Sequence, residues 1–327
     1  MTARTRVAVI GGGANGEHEV SLASAASALA ALDPSRYEAV PFTIARDGGW
    51  LAAGTPVPFA DAVAALARCD VALPLVHGAP GEDGALAALF ELIGLPYTGS
   101  GIGAGAIAMD KHATKLVATS LGIRTAPAAL LTRATRDAYA WSGPVVVKPV
   151  DAGSSRGVTP VREPEELADA LSAAFSWSDR VLVEQLVAGR EIDIAVFEED
   201  GEPIVTAPLE IAARSFFDYD AKYGAKHDTE VAFEVPARLT PLERRRLEQG
   251  ALALYRALGC RGVVRLDFFL DAGGWLLNEV NTTPGFTGAS QVPLMAAASG
   301  IAYPDLLHRL IQEAFRWHRT PSPASRA

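Results

Sequence analysis

The first hundred residues alternate between short apolar runs and Ala/Leu-rich segments, and this alternation restricts the fold more than any other feature of the chain. Arg6-Val7-Ala8-Val9-Ile10 reads as a buried strand, 18–32 as a helix ending before Asp33-Pro34, and 37–45 as a second strand. A helix at 60–68, a strand at 71–76 and a helix at 85–93 continue the pattern. Strands separated by helices pair in parallel with helices on both faces, which is the α/β class. Ligands of such sheets collect at the carboxyl ends of the strands. There the sequence places Gly11-Gly12-Gly13 and His77-Gly78.

Glycine density around Gly99-Ser100-Gly101-Ile102-Gly103 suggests a linker, with a boundary near residue 108. Beyond it a helix is expected at 110–121, a strand at 145–148, a turn at 151–157, a helix at 163–175 and a strand at 180–184. Strands at 192–197 and 203–209, a polar loop at 214–229, a charged helix at 241–258 and a hairpin at 263–281 follow, so the carboxyl-terminal half reads as α+β. The expected domains are 1–108, 109–188 and 189–327.

Charge narrows the function. The 327 residues contain 29 Lys+Arg against 38 Asp+Glu, a net −9. That balance argues against nucleic-acid or anionic-membrane surfaces, because neutralising phosphates needs a basic face. Only five lysines occur, Lys111, Lys115, Lys148, Lys222 and Lys226, so any anion site has to be local. None follows a glycine, which removes a Walker-type phosphate loop. Cys69 and Cys260 lack zinc or redox spacing, no signal-peptide core opens the chain, and no apolar run approaches the ~18 residues that span a bilayer. A cytoplasmic protein with idle thiols is the expectation.

Several local patterns carry chemistry. Gly11 to Gly16 satisfies G-x-G-x-x-G, the dinucleotide fingerprint, but the acid closing the second strand, Asp47, lies well beyond the spacing that fingerprint needs. A nicotinamide-dependent dehydrogenase would rest on this motif alone. The simpler reading is a sharp turn that aims Glu17-His18-Glu19 at the strand ends. Gly153-Ser154-Ser155-Arg156-Gly157 fits G-x-S-x-G, yet a strand-like stretch follows where a hydrolase elbow needs a helix. Two hydroxyls and exposed N–H groups suit a phosphate cradle or lid better.

The hairpin is the strongest constellation. A three-residue loop within Asp271-Ala272-Gly273-Gly274 sets Asp267 opposite Glu279 and Arg265 opposite Asn281. One face then gathers an arginine, two carboxylates and an amide while the other is apolar, a donor set for a hard cation such as Mg²⁺. In the loop 77–84, His77 is open to two readings, a structural histidine or a contact for an anionic ligand.

HGAPGEDG (77–84), LPYTGSGIGAGAIAMDK (95–111), the KP…GSS segment (148–155), FDYDAKY (217–223) and RLDFFL…NEVNTTPGFTGAS (265–290) occur in the order found in D-alanine–D-alanine ligases, which the chain resembles over most of its length. The resemblance implies a three-domain ATP-grasp architecture with an amino-terminal parallel-sheet domain. It implies ATP and two Mg²⁺ ions, or Mn²⁺ in their place, and commonly a homodimer. The expected activity joins two D-alanines through a D-alanyl phosphate for peptidoglycan precursors, with a D-serine or D-lactate acceptor as the alternative. Lys111, Lys148 and Lys222 resemble the ATP-binding lysines, Ser154 and Ser155 the phosphate loop, and Glu184 and Glu191 the adenine- and ribose-contacting acids. Asp267, Glu279 and Asn281 correspond to the metal ligands. Glu17 would hold the first substrate's ammonium, linked to Ser154 and Tyr223. His77 would lie near its carboxylate, and Ser290 would bind the second substrate. Arg265 and the N–H of Gly285 resemble the oxyanion pair. Phe217, Arg156 and Gln291 depart from the usual pattern, and Gln291 adjoins the expected acceptor pocket. Lys115 and Lys226 are expected at the surface.

Overall fold

The computed structural model describes residues 4–212 and 232–319. Three sheets form its frame. The first has the order β4-β3-β2-β1-β5, from β1 (Thr5–Gly12), β2 (Tyr37–Ile44), β3 (Trp50–Ala52), β4 (Thr55–Val57) and β5 (Val71–Pro74). Here β1 pairs in parallel with both β2 and β5, as the alternation requires. The antiparallel β3–β4 ribbon extends the edge and was not legible in the sequence.

Residues of β1 alternate between two cores, as a period of two dictates. Val7 and Val9 pack with Ala25 and Ala28 of α1 (His18–Ala31), whereas Ala8 and Ile10 pack with Leu66 of α2 (Phe59–Leu66) and Phe90 of α3 (Ala85–Ile93).

The chain then runs through α4 (Ile102–Met109), α5 (Lys111–Ser120) and β6 (Arg124–Thr125). A four-stranded antiparallel sheet follows, β7-β10-β8-β9, from β7 (Ala128–Thr132), β8 (Val145–Pro149), β9 (Thr159–Val161) and β10 (Arg180–Gln185), with α6 (Leu167–Phe175) on one face. The third sheet comprises β11 (Arg190–Glu199), β12 (Glu202–Val205), β13 (Leu209–Ala212), β14 (Ala232–Glu234), β15 (Val264–Asp271) and β16 (Gly274–Asn281), and β6 joins it beside β16.

α7 (Pro241–Ala257) starts with a capping box between Thr240 and Glu243. Its Leu247, Ala251 and Leu254 share a core with Ala104, Ala108 and Ala118, so α4 and α5 pack on the third sheet. α8 (Gln291–Ala298) and α9 (Tyr303–Arg319) close the described chain. Met295, Leu306 and Leu310 from these helices enter the core that contains Val7 and Val9. The amino-terminal sheet is thereby fixed to the carboxyl-terminal unit, and their loops meet where α1 begins.

Candidate active site

Glu17 immediately precedes α1, where the partial positive charge of the helix start favours a carboxylate. Asn15 fixes its backbone: its Oδ1 accepts the Glu17 N–H at 2.7 Å, and its Nδ2 donates to the His77 carbonyl at 2.8 Å. The Ser154 hydroxyl donates to Glu17 Oε1, joining the turn after β8 to the amino-terminal domain. A Cβ on Gly153 would lie 2.4 Å from Glu17 Oε2, so any larger residue there would displace that carboxylate. Ser154 and Ser155 hold left-handed φ angles of 48° and 57°, a conformation that costs about 1–3 kcal/mol per residue and persists only under tertiary restraint.

The hairpin brings its expected residues together. Asp267 lies opposite Glu279 and Arg265 opposite Asn281, although the turn is one residue shorter than expected, with Asp271 pairing directly with Gly274. A bulge restores the register: Phe268 pairs with Leu277, leaving Asn278 as the extra residue.

Arg265 donates from Nε and Nη2 to the two oxygens of Asp267, at 2.7 and 2.8 Å, and from Nη1 to Gln291 Oε1 at 2.7 Å. Gln291 Nε2 donates to Asp193 Oδ2 at 2.6 Å, and the chemistry of its two partners fixes the amide's orientation. Burial works against the guanidinium charge, but Asp267 and Asp193 overcome it and raise the Arg265 pKa well above normal. Asn281 Nδ2 also donates to Asp267 Oδ2, at 3.0 Å. Oδ2 therefore carries two donors and Oδ1 one, so Asp267 retains a lone pair on Oδ1 for a cation. Asp267, Glu279 and Asn281 together offer hard oxygen donors, and no cluster of three His, Cys, Asp or Glu side chains of metal-holding geometry exists among the described residues.

A second polar group lies where the second and third sheets face each other. Lys148 on β8 donates to Glu184 Oε2 at 2.7 Å and to Asn278 Oδ1 at 3.1 Å. Lys115 lies 3.0 Å from Glu184 Oε1. It is buried, which corrects the expectation of a surface lysine: its helix face turns inward against β10. Burial works against ionisation of Glu184, yet Lys148 and Lys115 hold its carboxyl below the usual range. Lys111 opens α5, donates to the Ala152 carbonyl at 2.7 Å and lies 3.7 Å from Glu279 Oε2.

Both ring nitrogens of His77 have protein partners. Its Nδ1 faces the Thr283 carbonyl at 2.6 Å and so carries the hydrogen, leaving Nε2 to accept from Ser24 Oγ at 2.8 Å. Burial lowers its pKa, in keeping with a neutral ring. The ring thus ties α1 to the segment after β16. Ser290 precedes α8, and its Oγ turns back to the Thr287 N–H at 3.0 Å instead of capping the helix. Gly285 lies next to it, a Cβ there falling 3.3 Å from Ser290 Oγ.

These groups border one cavity of about 580 Å³. Its walls include Glu17, His77, Ser154, Glu191, Arg265, Asp267, Glu279, Asn281, Gly285, Ser290 and Gln291. Lys111, Lys148, Ser155 and Glu184 stand outside its lining. Tyr223 and Lys222, together with Phe217 and Lys226, lie outside the described residues. The lining also holds two acids that sequence reasoning missed, Glu82 and Asp193. Burial, with Glu17 and Glu279 nearby, raises the Glu82 carboxyl to about 8. A second cleft of about 650 Å³, between Arg124, Gln185 and Asp271, contains none of the site residues named above.

Family models for the D-ala D-ala ligase C-terminus and N-terminus match residues 119–312, and 6–65 with 57–100, respectively. The chain belongs to the D-alanine–D-alanine ligase family. A D-alanine–D-alanine ligase of Chlorobium luteolum is 39% identical over 95% of this chain and 97% of its own, and one of Streptomyces avermitilis is 36% identical over 96% and 94%. Among solved structures, a D-Ala:D-Ser ligase from Enterococcus faecalis superposes with a TM-score of 0.83 at 32% identity, covering 95% of this chain and all of that one. A D-alanine–D-alanine ligase from Bacillus anthracis complexed with ATP gives 0.78 at 31% identity, covering 96% and 99%. The protein is accordingly a ligase with the ATP-grasp fold, and no helix among its described residues is long and apolar enough to cross a membrane.

Proposed function

We propose that this ligase joins two D-alanines at the cost of ATP. The observation that carries this reading is the single cavity shared by Glu17, Arg265, the hairpin carboxylates and Ser290, whose volume of about 580 Å³ suits two small amino acids and a terminal phosphate. Glu17 would hold the ammonium of the first D-alanine. Its carboxylate attacks the γ-phosphorus of ATP, ADP leaves, and an acylphosphate results. The amine of the second D-alanine attacks that carbonyl, and collapse of the tetrahedral intermediate expels phosphate.

Arg265 suits the oxyanion of that intermediate. Three of its five N–H groups bind Asp267 and Gln291, leaving one each on Nη1 and Nη2 for substrate. The Gly285 N–H would be the second donor. Ser290 and the start of α8 suit the acceptor's carboxylate, a helix start being an anion site. Lys111 and Lys148 would hold ATP phosphates with the Ser154–Ser155 turn, Glu184 and Glu191 its adenine and ribose, and Lys222 its γ-phosphate by sequence motif alone.

Divalent cations fit this site. The described lining carries seven acidic side chains, Glu17, Glu19, Glu82, Glu191, Asp193, Asp267 and Glu279, against one arginine, and of these burial raises the Glu82 carboxyl. Polyphosphate would be repelled from such walls unaided. Asp267 through Oδ1, Glu279 and Asn281 would hold Mg²⁺, with phosphate oxygens completing the shell. Bound there, Mg²⁺ neutralises phosphate charge and acts as a Lewis acid.

A second reading is a hydroxyl-bearing acceptor such as D-serine. Gln291 and Asp193 favour it by making that wall of the cavity polar.

The test supplies ATP, Mg²⁺ and D-alanine, alone or mixed with D-serine and D-lactate, and follows phosphate release and product mass. D-alanyl-D-alanine is the expected product, and chelation by EDTA should abolish release. No D-alanine-dependent phosphate above background would sink the proposal, and a product lacking a second D-alanine would select the second reading.

A further inference from the structure

We propose that Arg156 is a positioning residue that clasps the Gly153–Gly157 turn against the amino-terminal domain and thereby keeps water from the activated intermediate. The inference rests on the acylphosphate reading above. It starts from the turn itself, whose Ser154 and Ser155 occupy left-handed conformations that a free loop would relax. One restraint is the Ser154–Glu17 hydrogen bond. It is short-sided, because Ser154 is itself part of the strained pair, and a second anchor lies further along the turn.

That anchor is the Arg156 guanidinium. Its Nη2 donates to the Gly16 carbonyl at 2.7 Å, and its Cζ sits 5.3 Å from the centre of the Trp177 ring, within cation–π range. Contact with the amino-terminal loop is intimate: a Cβ on Gly16 would fall 2.3 Å from Cζ, so only the glycine hydrogen leaves room for the guanidinium. Trp177, just past α6, stacks on the same guanidinium. It also covers Gly157, where a Cβ would meet its ring at 2.7 Å. Gly16, Arg156 and Trp177 therefore form a layered clasp spanning two domains, one residue removed from Glu17 and two from Ser154.

Arg156 does not line the substrate cavity. Any effect on catalysis must act through the turn, which borders the cavity at Gly153 and Ser154. An acylphosphate reached by water is hydrolysed to D-alanine and phosphate, so ATP would be consumed without dipeptide. A loosened turn should therefore uncouple the two products instead of merely slowing both. Lysine can supply the charge but not the planar fork that stacks and donates together.

The experiment compares the wild type with R156A, R156K and W177L, measuring ADP and dipeptide in the same samples and amide hydrogen exchange over 150–160 without ligand. Wild type should give one dipeptide per ADP. R156A should form ADP within about threefold of the wild-type rate yet yield less than half a dipeptide per ADP, with R156K and W177L intermediate. Exchange in the turn should quicken at least tenfold in R156A. A ratio that stays at one in R156A overturns the proposal, as does unchanged exchange. If the wild type itself makes no dipeptide, the functional reading fails and exchange alone decides whether the clasp exists.

Discussion

Replacing Lys115 by methionine tests the buried charge cluster directly, because it removes one ammonium while keeping the length of the side chain. Lys115 is 5% exposed and Glu184 3%, and their charged atoms lie 3.0 Å apart. With an effective dielectric constant of about 20, unit charges at that distance attract by about 5–6 kcal/mol. Desolvation of the ammonium offsets several kcal/mol of this, and removing one partner of a buried pair costs about 3–5 kcal/mol because the other charge is stranded. Here Glu184 keeps Lys148 at 2.7 Å. The loss in K115M should therefore fall to about 2–3 kcal/mol. Urea unfolding of the ligand-free protein measures it, and E184Q in the K115M background should recover at least ~1 kcal/mol relative to the sum of the single changes. A K115M change below ~0.5 kcal/mol, the size of an ordinary surface substitution, would refute the reasoning.

Gly153→Ala drives a methyl group to within 2.4 Å of Glu17 Oε2 without demanding a positive φ. D-alanine-dependent phosphate release should lose at least tenfold, toward about 10²-fold, in kcat/KM while the melting temperature moves by roughly 2 °C or less; an active G153A would contradict the placement of Glu17. Glu82→Gln tests the carboxyl raised from 4.5 to about 8 by burial and by Glu17 and Glu279. Between those values the folded chain holds the extra proton, so this group's contribution to stability is present below about pH 4.5 and is lost as pH rises through about 8, a penalty reaching about 5 kcal/mol without ligand. Melts of ligand-free E82Q should match wild type near pH 4.5 and exceed it increasingly up to pH 8; a pH-independent gap would dispose of the assignment.

Much of this was legible because strand period and chain order are local properties. The hairpin shows the limit. Asp267 was set opposite Glu279 from a turn taken one residue too long, and the pairing holds because the bulge at Asn278 supplies the missing residue on the other side. Nothing in a run of alternating residues marks such a bulge. Two missed groups did leave signals. Lys115 follows Lys111 by four residues, one helical turn onward on the same face. Asp193 follows Glu191 by two along β11, which puts both on the face that meets the cavity. His77 was named in the loop 77–84, but its ring partners, Ser24 and Thr283, lie 53 and 206 residues away and leave no local signal. Glu82 was hidden too, since its shift arises first from burial in the fold and then from Glu17 and Glu279, which distant segments contribute.

The acidity of the chain acquires a location from these groups. Three described lysines stand together around Glu184 and Glu279, while the cavity beyond them is walled by seven acidic side chains and a single arginine. The two zones suit different ligands. Glu184 balances one of the two ammonium charges of Lys148 and Lys115, so that cluster keeps a net positive charge and would favour a nucleotide. The carboxylate-rich end repels polyphosphate until cations bind, and it attracts the ammonium groups of amino acids at once. In the proposed reaction nucleotide and amino acid would be drawn to these two zones, and a divalent cation would permit them to meet. A loss of cation should consequently raise the KM for ATP far more than the KM for D-alanine, because only the former depends on reversing the sign of the field it enters.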